Sequence, residues 1–169
     1  MIIKEINKSA SLSINCVRLL GILLMSVVFV FAVVGCSHGP SETPQQFVFK
    51  YLQKKLPMVD ISLADFYIKT EQSSVIDRVT TSIDNKKSHG QLDNFKKASY
   101  DLSLVNIEVQ GKKDLYVDDE SKTFYKIKID GDYKVTKNEE TYSGKIDEFI
   151  VIIASGNKWK VTETIDPWK

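Results

Sequence analysis

"FYKIKIDGDYKV", residues 124–135, decides the fold of this chain, because it either turns at its glycine or runs through it. Tyr125, Ile127, Ile129, Gly131, Tyr133 and Val135 share one parity, the period of two that marks a strand with one buried face. A two-residue hairpin at Asp130-Gly131 would set Ile127 opposite Lys134 and scramble the faces, so it is rejected. Two readings remain: a three-residue loop pairing Ile129 with Tyr133, or one long strand bent at Gly131. The bent strand is preferred.

The flanking sequence extends the strand pattern in both directions. Tyr100, Leu102 and Leu104 alternate on one face, and Val105, Ile107 and Val109 follow after a one-residue slip, which predicts a bulge near Leu104. Ile146 to Ile153 is almost wholly apolar, as a central strand covered on both faces requires. Ser155-Gly156-Asn157 then turns the chain back into Trp159, Val161 and Ile165.

Before these strands the period is helical. Thr43-Pro44-Gln45-Gln46 supplies a capping hydroxyl, a first-turn proline and a glutamine three residues on, which together form a capping box. The helix that follows places Phe47, Val48, Tyr51, Leu52 and Leu56 on one face and ends before Pro57. A second helical pattern, Val75, Ile76, Val79 and Ile83, lies between Glu71 and Lys87. A shorter one from Leu92 to Ala98 has Leu92 and Phe95 to bury.

The resulting expectation is an α+β fold, N-terminal helices packed on a curved antiparallel sheet. This element order, with the closing "SGNKWKVTETI" (residues 155–165), resembles lipoproteins of the nuclear-transport-factor-2-like (NTF2-like, cystatin-like) superfamily over residues 41–166. The resemblance implies a bent sheet wrapped around the long helix as a cone, either hollow or filled. Its inward aromatic positions, the candidate pocket, would be Phe47, Tyr51, Tyr100, Tyr125 and Tyr133. Enzymes of that superfamily place an acid and a base, commonly Asp and His, inside the cone. This chain departs from them, because beyond residue 35 it has only His38 and His89, and neither falls on a predicted strand.

The N-terminus carries an address. Lys4, Lys8 and Arg18 outweigh Glu5 and lead into an uncharged run, Leu19 to Gly35, at the lower edge of what spans a bilayer. The run closes with Val33-Val34-Gly35-Cys36, which resembles the bacterial lipobox. The resemblance implies cleavage between Gly35 and Cys36 and a lipid on the Cys36 thiol. Residues 1–35 are then a lipoprotein signal peptide, 36–42 a lipidated cysteine with a short tether, and 43–169 a single domain. Fully stretched, Ser37 to Glu42 spans at most roughly 20 Å, so the domain rides close to its membrane. The expected location is the extracytoplasmic side of the cell membrane or the outer membrane. Ser37 after the cysteine resembles the outer-membrane sorting state in a Gram-negative host.

Composition narrows the function classes. The chain has 23 Lys plus Arg and 22 Asp plus Glu; without Lys4, Lys8, Arg18 and Glu5 there remain 20 and 21, a formal charge of −1, which does not suggest a nucleic-acid binder. Cys16 leaves with the signal peptide and Cys36 takes lipid, so the domain keeps no thiol for a disulfide, metal or nucleophile. No phosphate loop, nucleophile elbow or zinc motif is present, and no cofactor is expected. Asp118-Asp119-Glu120 and Asp130-Gly131-Asp132 lack calcium-loop spacing and read as solvated turns. Lys86, Lys87, His89, Lys96 and Lys97 form a basic stretch diluted by Asp84 and Asp93, which reads as exposed loop charge or a contact for anionic headgroups. Trp159 reads as core, whereas Trp168 either caps one end of the cone or meets a partner. Three functions follow: a non-catalytic envelope lipoprotein acting through protein contacts, preferred because no catalytic set exists; a binder of a small apolar ligand in the cone; and, last, an enzyme using carboxylates.

Overall fold

The structure, a computed structural model, describes residues 39–118 and 120–169. The apolar run, Gly35 and Cys36 lie outside the described residues. Helix α1 (Pro44–Lys55) starts as its sequence dictates: Thr43 Oγ1 accepts from the Gln46 amide at 3.2 Å, and the Thr43 amide donates to Gln46 Oε1 at 3.0 Å. These bonds occupy two N–H groups that would otherwise be orphaned, and Pro44 has no N–H to lose. Phe47, Val48, Tyr51 and Leu52 are buried along one face. Next comes a 3₁₀ turn, Ile61–Phe66, capped by Asp60 accepting from the Ser62 amide at 2.9 Å.

Helix α2 (Gln72–Ser88) buries Val75 and Val79, packs Ile83 at the margin and leaves Ile76 exposed, so the predicted face is narrower by one residue. It ends in a Schellman turn: the Gly90 amide donates to the Lys87 carbonyl and the Gln91 amide to the Lys86 carbonyl at 2.8 Å, with Gly90 at φ +64°. That reversal folds α3 (Leu92–Lys97) back beside α2.

The sheet is antiparallel throughout and strongly curled. Strand β3 (Glu120–Lys137) is its axis, and it runs through Gly131 without a turn, the preferred of the two readings of the opening stretch. On one edge β3 pairs with β1 (Ser99–Asp101) and β2 (Val105–Val117), on the other with β4 (Glu140–Ser155). Beyond β4 lies β5 (Lys158–Thr162). Gly131 is at φ +129°, and a Cβ there would lie 2.3 Å from the Leu104 carbonyl oxygen. Only glycine allows that approach.

The slip near Leu104 takes a different form from the predicted bulge. The strand breaks at residues 102–104, the Val105 amide donates to the Leu102 carbonyl, and Leu104 is 63% exposed rather than on a strand face. One extra residue is still absorbed between the Asp101–Lys134 and Val105–Gly131 pairs. A second register shift falls between Val109 and Gly111. The β3–β4 link is a two-residue turn with Asn138 and Glu139 both at positive φ, the geometry that matches strand twist.

Both faces of the sheet are covered where β4 is most apolar. Ile150 and Ile152 join Ile127 and Ile129 under the helices. Val151 and Ile153 face the other way and meet Phe124, where Ile68, Ile165 and Trp168 close over them. Each fully buried side chain of this size contributes about 1.5–3 kcal/mol. Trp168 therefore packs on the outer face of the sheet, where its ring lies against Gly111 and Lys113 donates to the Pro167 carbonyl at 2.8 Å.

Candidate functional site

The five aromatic positions of the expected pocket are placed on one side of the sheet but divide among different surroundings. Phe47 and Tyr51 are buried on α1, with ring centroids 5.5 Å and 6.0 Å from Phe66. Tyr125 stands edge-on to Trp159 at 5.1 Å, and Tyr133 lies over Gly144, where a Cβ would meet its ring at 2.4 Å. Tyr100 is half-buried; burial and then nearby Tyr133 raise its phenol above the ordinary value. Phe66 comes from the 3₁₀ turn, an element that periodicity did not signal.

Tyr51 opens into a polar network. Its hydroxyl lies 2.8 Å from that of Tyr67, which donates to Glu163 Oε1 at 3.1 Å, and Arg78 clamps Glu163 at 2.9 and 3.1 Å. Burial pushes the Tyr67 phenol up to about 12 and the Tyr51 phenol further, so both remain neutral donors near pH 7. A cleft of about 250 Å³ lies against Tyr51, Lys55, Glu148, Glu163, Asp166 and Lys169. Its carboxylates are matched: Glu148 by Lys55 at 2.5 Å, Glu163 by Arg78, and Asp166 by Lys169 at 3.6 Å. Groups so neutralised serve hydrogen bonding better than proton abstraction.

The C-terminal side of this network hangs on Glu71, which sequence reading had passed over. Only 7% exposed, it accepts from Thr162 Oγ1 (2.8 Å), Thr164 Oγ1 (2.6 Å) and the amides of Glu163 and Thr164. Burial alone would raise its pKa, but these donors outweigh burial and hold the carboxyl below its usual range.

A different surface lies between α1 and β2. Gln45, Gln46, Phe49, Lys50, Val105 and Ile107 line a mainly apolar groove of about 590 Å³, and Phe49 is 40% exposed. Strand β2 pairs with β3 only, so among the described residues its second edge carries no strand. An open edge beside an apolar groove offers main-chain hydrogen bonds and side-chain pockets together.

The basic stretch is brought together in part. Lys86, His89 and Phe95 line a cleft between α2 and α3, and Lys137, distant in sequence, joins them by lying 4.8 Å from the Phe95 centroid. Asp118 sits in the β2–β3 turn at φ +52°, and Asp130 and Asp132 lie within β3. Among the described residues no group of three or more His, Cys, Asp or Glu could hold a metal, and no helix is long and apolar enough to cross a membrane. No family model matches the chain, and no curated protein or solved structure does either.

Proposed function

We propose that this chain is a bacterial cell-envelope lipoprotein, anchored through lipid on Cys36, whose NTF2-like domain is non-catalytic and acts through protein contacts in an assembly, regulatory or protective role. The observation that carries the contact reading is the α1–β2 groove beside the edge of β2 that carries no strand among the described residues. The anchor rests on Val33-Val34-Gly35-Cys36 and the charge pattern before it. Helices followed by a curled antiparallel sheet are compatible with the NTF2-like cone.

The test has two readouts in intact cells. Radiolabelled palmitate should label the wild type but not Cys36→Ala, and a photo-crosslinker at Phe49 should trap a partner protein. Unchanged labelling of Cys36→Ala removes the anchor, and an empty crosslink at Phe49 removes the contact surface. A second reading, a small apolar ligand, draws on the same groove, whose volume falls within the usual range of ligand sites. The carboxylate enzyme is the weakest reading, because the acids lining the polar cleft are already paired.

A further inference from the structure

We propose that the edge of β2 turned away from β3 pairs with the same edge of a second copy of this chain, residues 105–109 of each strand running antiparallel about a two-fold axis at Ile107. The inference rests on the contact reading above and names its partner. Before the register shift between Val109 and Gly111, five consecutive residues of β2 pair regularly with β3, and among the described residues their other edge carries no strand. A ladder of unpaired main-chain groups in regular register is a template for another strand. The shift itself marks where that template stops, because an extra residue bends the strand and blunts its edge.

In that register the stretch complements itself. Val105 meets Val109 of the second copy, Ile107 meets Ile107, and Val109 meets Val105, three β-branched pairs on the side where these residues already pack against the core. On the outer side Asn106 meets Glu108 twice, an amide donor opposite a carboxylate acceptor, and both residues are exposed. Among the described residues Glu108 makes no ion pair, since Lys128, opposite it on β3, is engaged by Asp147. An axis one residue later would oppose Glu108 to Glu108, and one residue earlier would run the pairing into the turn at 102–104. The charges still match further out. Asp101 pairs three β3 positions beyond Val105 (Lys134 against Gly131) and Lys113 three beyond Val109 (Phe124 against Ile127), so Asp101 of one copy comes opposite Lys113 of the other. Lys113 donates to the Pro167 carbonyl, and among the described residues neither it nor Asp101 is in an ion pair.

The groove supplies the rest of the contact. A two-fold axis normal to the sheet leaves both α1 helices on one side of the joined sheet, so the two grooves open toward each other across the axis. Phe49, exposed on its own copy, lines the same groove as Val105 and Ile107, the residues that meet at the junction. Phe49 of each copy then closes over the joined strands, and two half-exposed apolar grooves become one covered strip. Aromatic anchors at the centre of an interface contribute most of its affinity. The pairing does not depend on Cys36.

The test is sedimentation equilibrium of the purified full chain in density-matched detergent. The wild type should be a dimer. Asn106→Glu, which sets carboxylate against carboxylate at both ends of the pairing, should weaken the dimer about tenfold; adding Glu108→Lys, which sets carboxylate against ammonium, should restore it. A photo-crosslinker at Glu108, in a mixture of light- and heavy-nitrogen copies, should join the two isotopes at residues 105–107. A monomer, a dimer that Asn106→Glu leaves unchanged, or an isotope-mixed crosslink elsewhere overturns the pairing. If Asn106→Glu does not fold, the isotope-mixed crosslink decides alone. A monomer whose Phe49 crosslinks to a different protein overturns the second copy and leaves the contact surface standing, whereas a monomer with an empty Phe49 crosslink removes both.

Discussion

Replacing Gly131 with alanine tests the architecture at its hinge. The added Cβ would stand 2.3 Å from the Leu104 carbonyl oxygen and 3.1 Å from Val105 Cα, both backbone atoms with no rotamer to relieve them. The residue must also hold φ at +129°, outside the regions open to L-residues. Strain of that kind costs about 1–3 kcal/mol, and displacing the Leu102–Leu104 turn adds about 1–3 kcal/mol, as overpacking does. A total near 3–4 kcal/mol lowers the melting temperature of a domain this size by about 10–15 °C. Gly156→Ala is the control, because Gly156 also has positive φ, +60°, but open space where its Cβ would go. Its cost should stay near 1–2 kcal/mol. Thermal unfolding followed by far-UV circular dichroism measures both. If Gly131→Ala melts within 2 °C of the wild type, or above Gly156→Ala, β3 does not pass Leu104 at the close approach described.

Two further outcomes follow from the outer face and the Glu71 hub. Glu71→Gln, which loses charge and turns N–H groups toward backbone amides, should cost about 2–3 kcal/mol at pH 7. The folded carboxyl titrates below its unfolded value of about 4.3. Its contribution is therefore complete above that value and is lost as pH falls through the folded pKa; urea midpoints of wild type and variant should converge in acid, and a constant gap would contradict the assignment. Trp168→Ala removes the ring over Gly111 and the cover of Phe124, Val151 and Ile153. A loss of about 2–4 kcal/mol in urea unfolding is expected, while an unchanged midpoint would mean that the C-terminal segment does not close this face.

Much of the scaffold was legible where a local rule has one solution. The Thr43–Gln46 box fixes the start of α1, the single parity of residues 125–135 excludes a two-residue hairpin at Gly131 and favours the bent strand that forms, and the apolar run at 149–153 calls for two covered faces. What escaped was decided by partners remote in sequence. The 3₁₀ turn that delivers Phe66 and Tyr67 is too short to show a period, and Tyr67 gains its place by bridging to Val161. Glu71 reads as an ordinary helix-start acid until the loop at Thr162–Thr164 closes on it. The basic stretch was visible, yet Lys137, which lies over the Phe95 ring, is 42 residues further along the chain. Trp168 admitted two readings, a cap on one end of the cone or a partner contact; it packs instead on the outer face of the sheet, against Gly111 and Phe124.

Glu71 and residues 162–168 also set an order of events during synthesis. Domains tend to fold from the N-terminus as they emerge, but here Glu71, just before α2, waits for Thr162 and Thr164, and Phe124 waits for Trp168. Nascent fragments that stop before Thr162 leave Glu71 unsatisfied, and those that stop before Trp168 leave the outer face open. The domain therefore reaches its cooperative state only once residues 162–168 have left the ribosome, and until then it stays an open, threadable polymer.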